Sequence, residues 1–160
     1  MDAFSGEATP SHLLSREALA RVKARLAPDG VVAINLVGSN RADSRLLPAV
    51  VRTLHTQFST VAVFPLFNSG EQGIRSGNMV LIAANRPLEA ALAASIENVH
   101  PMARDLVAQG LRQGRVLGPT VAGPVLSDDF NPLDVLDVES HETVRKTILE
   151  TTPAAILLHG

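Results

Sequence analysis

The chain has 160 residues, 46% of them apolar, which is enough to bury one sizeable core and excludes a disordered polymer. It contains no cysteine, so disulfide frameworks, thiolate metal sites and cysteine nucleophiles are excluded. A net charge of −2, with five Phe and no Trp or Tyr, argues against nucleic-acid binding, which needs a basic face. No apolar run reaches the roughly 18 residues of a membrane span, and no basic leader opens the chain. We therefore expect a soluble, cytoplasmic protein without membrane contact.

The first half of the chain alternates helix and strand signals. Ser15 is a candidate N-cap for a helix that runs to about Ala27, because apolar residues recur there at helical spacing. The apolar run Val31 to Val37 predicts a strand covered on both faces, as in a parallel sheet between helices. A second amphipathic helix is predicted from about Asp43 to Phe58, with Pro48 in its first turn.

Two further apolar runs predict a β-hairpin. Thr60 to Phe67 and Met79 to Ala84 are joined by the polar, glycine-bearing stretch Asn68 to Asn78, so the two strands should be antiparallel. Beyond them, one helix is predicted from Pro87 to Asn98. A second is predicted to open at Pro101 and to end near Gly110 to Gly114.

The last part of the chain is predicted to be mostly irregular. Residues 118–132 are rich in Gly and Pro, and a short helix, Ser140 to Glu150, and an apolar tail, Ala154 to Leu158, follow. Most of the acidic residues of the second half, residues 81–160, lie between Asp128 and Glu142. They could face a cationic ligand or form a solvated surface. No repeat or linker divides the chain, so residues 1–160 are predicted to form a single α/β domain.

The usual nucleotide-binding turn of an α/β domain is not found in this sequence. Such a domain opens with a strand, a glycine-rich turn and a helix, and an acid at the end of the next strand holds the ribose. The glycine-rich stretch here, Gly70, Gly73 and Gly77, lies in the predicted hairpin loop and does not predict a phosphate site. The chain therefore looks like the second half of a doubly wound sheet, with the cofactor-binding first part absent.

Two segments resemble spermidine synthase-like proteins, the polyamine aminopropyltransferases. They are the opening DAFSGEATP of residues 2–10, with His12-Leu13 after it, and the late LSDDFNPL of residues 126–133. The strand, helix and hairpin between them follow in the same order as in that family. The resemblance implies the C-terminal part of a partial, doubly wound, Rossmann-like sheet of the S-adenosylmethionine-dependent methyltransferase type, ending in an antiparallel hairpin. It also implies aminopropyl transfer from decarboxylated S-adenosylmethionine to a diamine, with a small-molecule amine and a nucleoside as partners.

The resemblance implies roles for particular residues. Asp2 matches the family's base, which would take a proton from the attacking amine. Ser5 stands where the family has a second acid, and it can hydrogen-bond but cannot neutralise a cation. His12, Asp128 and Asp129 are candidates for substrate binding.

Two asparagines are candidates for cofactor binding. Asn35 and Asn40 flank the carboxyl end of the predicted strand Val31 to Val37, where open α/β sheets bind ligands. The histidines show no spacing with carboxylates that predicts a metal site, and we expect no permanently bound cofactor.

Two functions stay open at this point. The chain is either an aminopropyltransferase whose site is completed from elsewhere, or a non-catalytic binding or assembly module that keeps the fold. A sheet without its first strands would leave Val31 to Val37, or its neighbour at residues 1–4, as an apolar edge, which promotes aggregation unless it is covered. We therefore expect a homo-oligomer or an upstream partner subunit.

Overall fold

A computed structural model describes residues 10–39, 44–67, 76–88, 98–136 and 138 of the chain. Its strands and α-helices, in chain order, are α1 (Arg16–Lys23), β1 (Val32–Ser39), α2 (Leu46–Leu54), β2 (Thr60–Pro65), β3 (Ser76–Ala84), α3 (Arg104–Gln113) and β4 (Arg115–Leu117). Short 3-10 helices precede α1 at Ser11–Leu13 and α3 at Pro101–Ala103, and residues 133–136 are helical.

The four strands form one sheet in the order β1-β3-β2-β4, and each neighbouring pair is antiparallel. Strands β1 and β2 therefore run in the same direction, joined through α2, and β3 lies between them. Leu81 of β3 is opposite Ile34 on one side and Val63 on the other. The α/β class and the antiparallel pairing of β2 with β3 are confirmed. The doubly wound extension of the sheet stays a prediction.

Strand β1 differs from its prediction. Val32, Ile34 and Leu36 are buried, whereas Ala33 is exposed and the residues that alternate with it are only half-buried. Its described neighbour β3 is antiparallel, not parallel. Packing explains why only one face of β1 is buried. Helix α2 lies on the face of Ile34 and Leu36, whereas α3, on the other face, contacts β2.

The first two helices are shorter than predicted. Ser15 caps α1, since its Oγ accepts a hydrogen bond from Ala18 N–H at 3.1 Å. The helix ends at Lys23, and tighter turns follow it, with Arg25 N–H bonded to Val22 O and Leu26 N–H to Lys23 O. Helix α2 lies within the predicted range, with Pro48 in its first turn.

The second half of the described chain contains one strand that the sequence did not predict. Strand β4 is only three residues long and pairs with Val61–Val63 of β2. Strand β3 also begins earlier than expected, at Ser76, because β1 supplies a partner for its polar first residues. The helix that opens at Pro101 and the irregular stretch 118–132 are confirmed.

Three predicted elements fall largely or wholly outside the described residues. They are the helix from Pro87 to Asn98, the helix Ser140 to Glu150 and the tail Ala154 to Leu158. In the parts of the chain that are described, no helix is both long and apolar enough to cross a bilayer.

The core packs on both faces of the sheet. On the first face, α1 and α2 cover the central strands, and the chain beyond β4 adds two fully buried leucines, Leu126 and Leu133. On the second face, α3 and the residues after β3 form a smaller cluster. Its buried members are Ala62, Phe64, Ala84 and Leu88.

Candidate functional site

A tight turn carries the two aspartates of the late motif. We call Ser127–Phe130 the acidic turn. Ser127 N–H donates to Phe130 O at 3.0 Å, and Phe130 N–H donates back to Ser127 O at 3.2 Å and to Ser127 Oγ at 3.1 Å. Serine and aspartate favour such turns because their side chains bond to nearby backbone. Asp128 and Asp129 therefore lie exposed at its tip.

The acidic turn is anchored to the core at both ends. Before it, Leu126 is buried and its N–H donates to Thr53 Oγ1 at 2.9 Å, while the Thr53 hydroxyl donates to Ala49 O at 2.7 Å. After it, Asn131 Oδ1 accepts from the N–H of buried Leu133 at 3.2 Å, which caps the helical residues 133–136. The position of the turn is thus set by packed and hydrogen-bonded neighbours.

The acidic turn and its flanking residues are bound to the segment Ser11–Glu17, which we call the opening segment. Arg16 N–H donates to Leu126 O at 2.8 Å, and Asp128 N–H donates to Glu17 Oε2 at 3.0 Å. The Asn131 side-chain amide donates to Ser11 O at 2.7 Å. The last two contacts join residues 111 and 120 positions apart. The structure therefore brings together the segments that carry His12 and the aspartate pair.

The charges of this region are predominantly negative. Glu17 Oε1 accepts a hydrogen bond from Arg16 Nε at 2.5 Å, and this bond, helped by Asp128 N–H, holds the pKa of Glu17 below its usual range. The pKa of Arg16 is raised by Glu17 first, and also by the charges of Asp129 and Asp128. Three carboxylates thus act electrostatically on one guanidinium, and one of them, Glu17, is in contact with it. Such an excess attracts cations, and protonated amines are cations that a carboxylate can both neutralise and hydrogen-bond.

The predicted site residues fall into three groups. His12, Asp128 and Asp129 are exposed and belong to the two joined segments. Asn35 is half-buried in β1, opposite Val80, on the sheet face away from Leu126, so the structure does not bring it to the acidic turn. Asp2, Ser5 and Asn40 lie outside the described residues.

Three contact residues of the site were not singled out from the sequence. Glu17, Thr53 and Asn131 are recognised only through tertiary contacts. Glu17 has the pattern of an ordinary acid in the first turn of a helix, where it favours the positive end of the dipole. Asn131 before Pro132 was readable as a turn residue, but its partner Ser11 was not.

A second feature lies on the other face of the sheet. It is an open apolar cavity of about 210 Å³ between α3 and the sheet. The residues that line it are Phe64, Leu66, Val80, Ile82, Val107, Gly110 and Leu111. No charged side chain contributes to this lining, so the cavity offers no group to bind a cation.

Metal chemistry finds no support in the described ranges, where no group of three or more His, Asp or Glu is placed to hold an ion.

Comparison with known proteins gives a similarity to a solved structure. No family model and no curated protein matches the chain. A crystal structure of a probable spermidine synthase from Corynebacterium glutamicum ATCC 13032 is similar, with 24% identity and a TM-score of 0.45, over 59% of this chain and 36% of that one. The chain thus spans about a third of the length of that protein. At this TM-score and identity, the similarity defines neither the family nor the activity of the chain.

Proposed function

We propose that the chain is a spermidine synthase-like protein, the C-terminal part of an aminopropyltransferase, whose acidic turn binds a diamine. The observation that carries the proposal is the docking of the acidic turn onto the opening segment. The late motif, residues 126–133, is joined by hydrogen bonds to Ser11, Arg16 and Glu17, which follow the opening motif in the sequence, and carboxylates are in excess there. A shared binding surface would explain why the late motif is bonded to the opening segment.

The chemistry of aminopropyl transfer assigns a role to each group. One ammonium of the diamine would be held by Asp128 and Asp129, which would direct its other nitrogen towards the reacting carbon. That nitrogen forms a bond to the aminopropyl carbon next to the sulfonium of decarboxylated S-adenosylmethionine. The bond between this carbon and sulfur breaks, and its electron pair stays on sulfur in methylthioadenosine. Asp2 would accept the proton that the amine loses. The roles of Asp2 and Ser5 rest on the resemblance alone.

The nucleoside of the co-substrate is assigned to the two asparagines. Asn35 and Asn40 stay proposals for this role, and Asn35 lies on the face of the sheet away from the acidic turn. If Asn35 contacts a nucleoside, the ligand must reach β1 from that other face.

A non-catalytic binding or assembly module is the second candidate. The observation that favours it is the placement of Gly77, which lies within β3 and pairs with Gly38 of β1. This glycine therefore belongs to a sheet and not to a phosphate-binding turn. Such a module would bind the amine without transferring a group to it.

A calorimetric titration with putrescine, followed by one with methylthioadenosine, tests the proposal. Replacing Asp128→Asn and Asp129→Asn together should weaken putrescine binding about tenfold, as two exposed charge contacts of up to about 1 kcal/mol each permit. The control, Asp29→Asn with Asp105→Asn, removes the same charge from exposed acids elsewhere and should leave binding nearly unchanged.

The same titrations separate the two candidates. Binding of both ligands, with transfer to putrescine in an assay supplied with decarboxylated S-adenosylmethionine, supports the enzyme. Putrescine binding without nucleoside binding supports the module. Putrescine affinity that is the same in the acidic-turn variant and in the control would contradict both.

A further inference from the structure

We propose that Glu17 is a positioning residue of the amine site, which fixes the tip of the acidic turn and keeps Arg16 away from its aspartates. The inference rests on the proposed function, since it concerns how the same surface receives the amine. Glu17 does not need to touch the ligand for this role.

The geometry gives each Glu17 oxygen a separate partner. Oε2 accepts from the backbone N–H of Asp128 at 3.0 Å, and Oε1 accepts from Arg16 Nε at 2.5 Å. The carboxylate therefore links the acidic turn to the guanidinium that lies beside it. Its side chain is 31% exposed, so solvent screens the contact only in part.

The tip of the turn depends on this link. The backbone bonds of Ser127 and Phe130 close the turn on itself, and the ties through Leu126 and Asn131 lie at its flanks. Among the described residues, the hydrogen bond from Asp128 N–H to Glu17 is the one that ties the tip to another segment. Without it, the direction of the two aspartate side chains is less defined.

The second part of the role concerns competition for the aspartates. Arg16 N–H donates to Leu126 O at 2.8 Å, which places Arg16 beside the start of the acidic turn, and the charges of Asp129 and Asp128 raise the pKa of its guanidinium. Arg16 is 54% exposed and can change rotamer, so it would pair with an aspartate if Glu17 did not hold it. A guanidinium on that carboxylate would occupy the place of the substrate ammonium.

Four variants separate the two parts of this role. Glu17→Ala releases both Asp128 N–H and Arg16, and we expect putrescine affinity to fall about fivefold, the upper range for one exposed charge contact. Glu17→Gln keeps an oxygen for Asp128 N–H but holds Arg16 less firmly, so its affinity should lie between those of Glu17→Ala and the wild type. Arg16→Ala should bind putrescine at least as well as the wild type.

The double variant Arg16→Ala with Glu17→Ala gives the sharpest comparison, because its net charge equals that of the wild type. If Arg16 competes for the aspartates, removing it should restore most of the affinity that Glu17→Ala loses. A double variant as weak as Glu17→Ala would overturn the competition, and a Glu17→Ala variant that binds like the wild type would overturn the whole inference. Thermal unfolding of all four shows that each is folded.

Amide hydrogen exchange provides a readout that does not need the amine. Protection of the Asp128 amide should fall in Glu17→Ala and be kept in Glu17→Gln and Arg16→Ala. Unchanged protection in Glu17→Ala would overturn the positioning role. The wild type could bind no putrescine while the Asp128 amide loses protection in Glu17→Ala. That result would confirm the hydrogen bond between Asp128 and Glu17, but it would overturn the proposed function and, with it, the role of Glu17 in an amine site.

Discussion

At the scale of single residues, one hydroxyl connects helix α2 to the candidate site. Thr53 is fully buried, and its Oγ1 accepts from Leu126 N–H while donating to Ala49 O. A buried N–H that loses its acceptor keeps the full cost of its desolvation. Thr53 therefore contributes to stability through a group that carries no charge and touches no ligand.

Replacing Thr53→Val should destabilise the protein by about 1–3 kcal/mol, because Leu126 N–H loses its partner while the volume stays nearly the same. Thr53→Ser is the matched control, since it keeps the hydroxyl and loses only a methyl group. Urea unfolding measures both. A valine variant at least as stable as the serine variant would show that the hydrogen bond has no net value.

The lowered pKa of Glu17 predicts a pH dependence. A carboxyl whose folded pKa lies below its unfolded value, about 4.3, stabilises the fold above that value and loses this contribution as the pH falls through the folded pKa. The stability difference between wild type and Glu17→Gln should therefore shrink as the pH is lowered from neutral into the acid range. Thermal unfolding at several pH values checks this, and a difference that grows on acidification would contradict the assignment.

At the scale of elements, β4 is held by close packing before it and by the side chain of His55, the residue after α2. Gly114, the residue before β4, lies against the ring of Phe64, and a Cβ at this position would lie 2.4 Å from two ring carbons. At its other end, His55 Nε2 lies 2.8 Å from the carbonyl oxygen of Leu117. These two contacts add to the few backbone hydrogen bonds that a strand of only three residues can form.

Replacing Gly114→Ala should destabilise the protein by about 1–3 kcal/mol, the usual cost of overpacking. Gly118→Ala, four positions later, is the control, because its Cβ would meet nothing closer than Thr120 Oγ1 at 4.0 Å. Adding Phe64→Leu to Gly114→Ala should recover part of the loss. Equal melting temperatures for the two alanine variants would refute the fit.

The elements also show where sequence patterns succeed and where they stop. The cap at Ser15, the proline-started helix at Pro101 and the antiparallel hairpin are set by neighbouring residues, so they could be predicted. Strand β4 and the early start of β3 depend on partners far along the chain, which periodicity does not reveal. The same holds for the site, where the aspartate pair was found but Glu17 was not.

At the scale of the whole molecule, the sheet separates two surfaces with different chemistry. The acidic turn and the opening segment belong to the side of α1 and α2, whereas the apolar cavity lies between the sheet and α3. A cationic ligand is therefore expected on the first side. On the second side, the described residues that line the cavity are apolar.

The proposed assembly with another copy or an upstream subunit is also tested at this scale. Light scattering over a range of concentrations should show a dimer or larger species of the purified chain, or aggregation that a partner subunit prevents. A monodisperse monomer at high concentration would contradict the expectation that another chain must cover an apolar edge.

The central claim is that the opening segment and the acidic turn form one surface that binds a diamine. An NMR titration of the isotope-labelled protein with putrescine tests it most directly, because each backbone amide reports its own surroundings. We predict saturable shifts concentrated in residues 11–17 and 126–131, which weaken as salt is added. Shifts confined to the apolar cavity, or spread evenly over all acidic residues, would contradict the account.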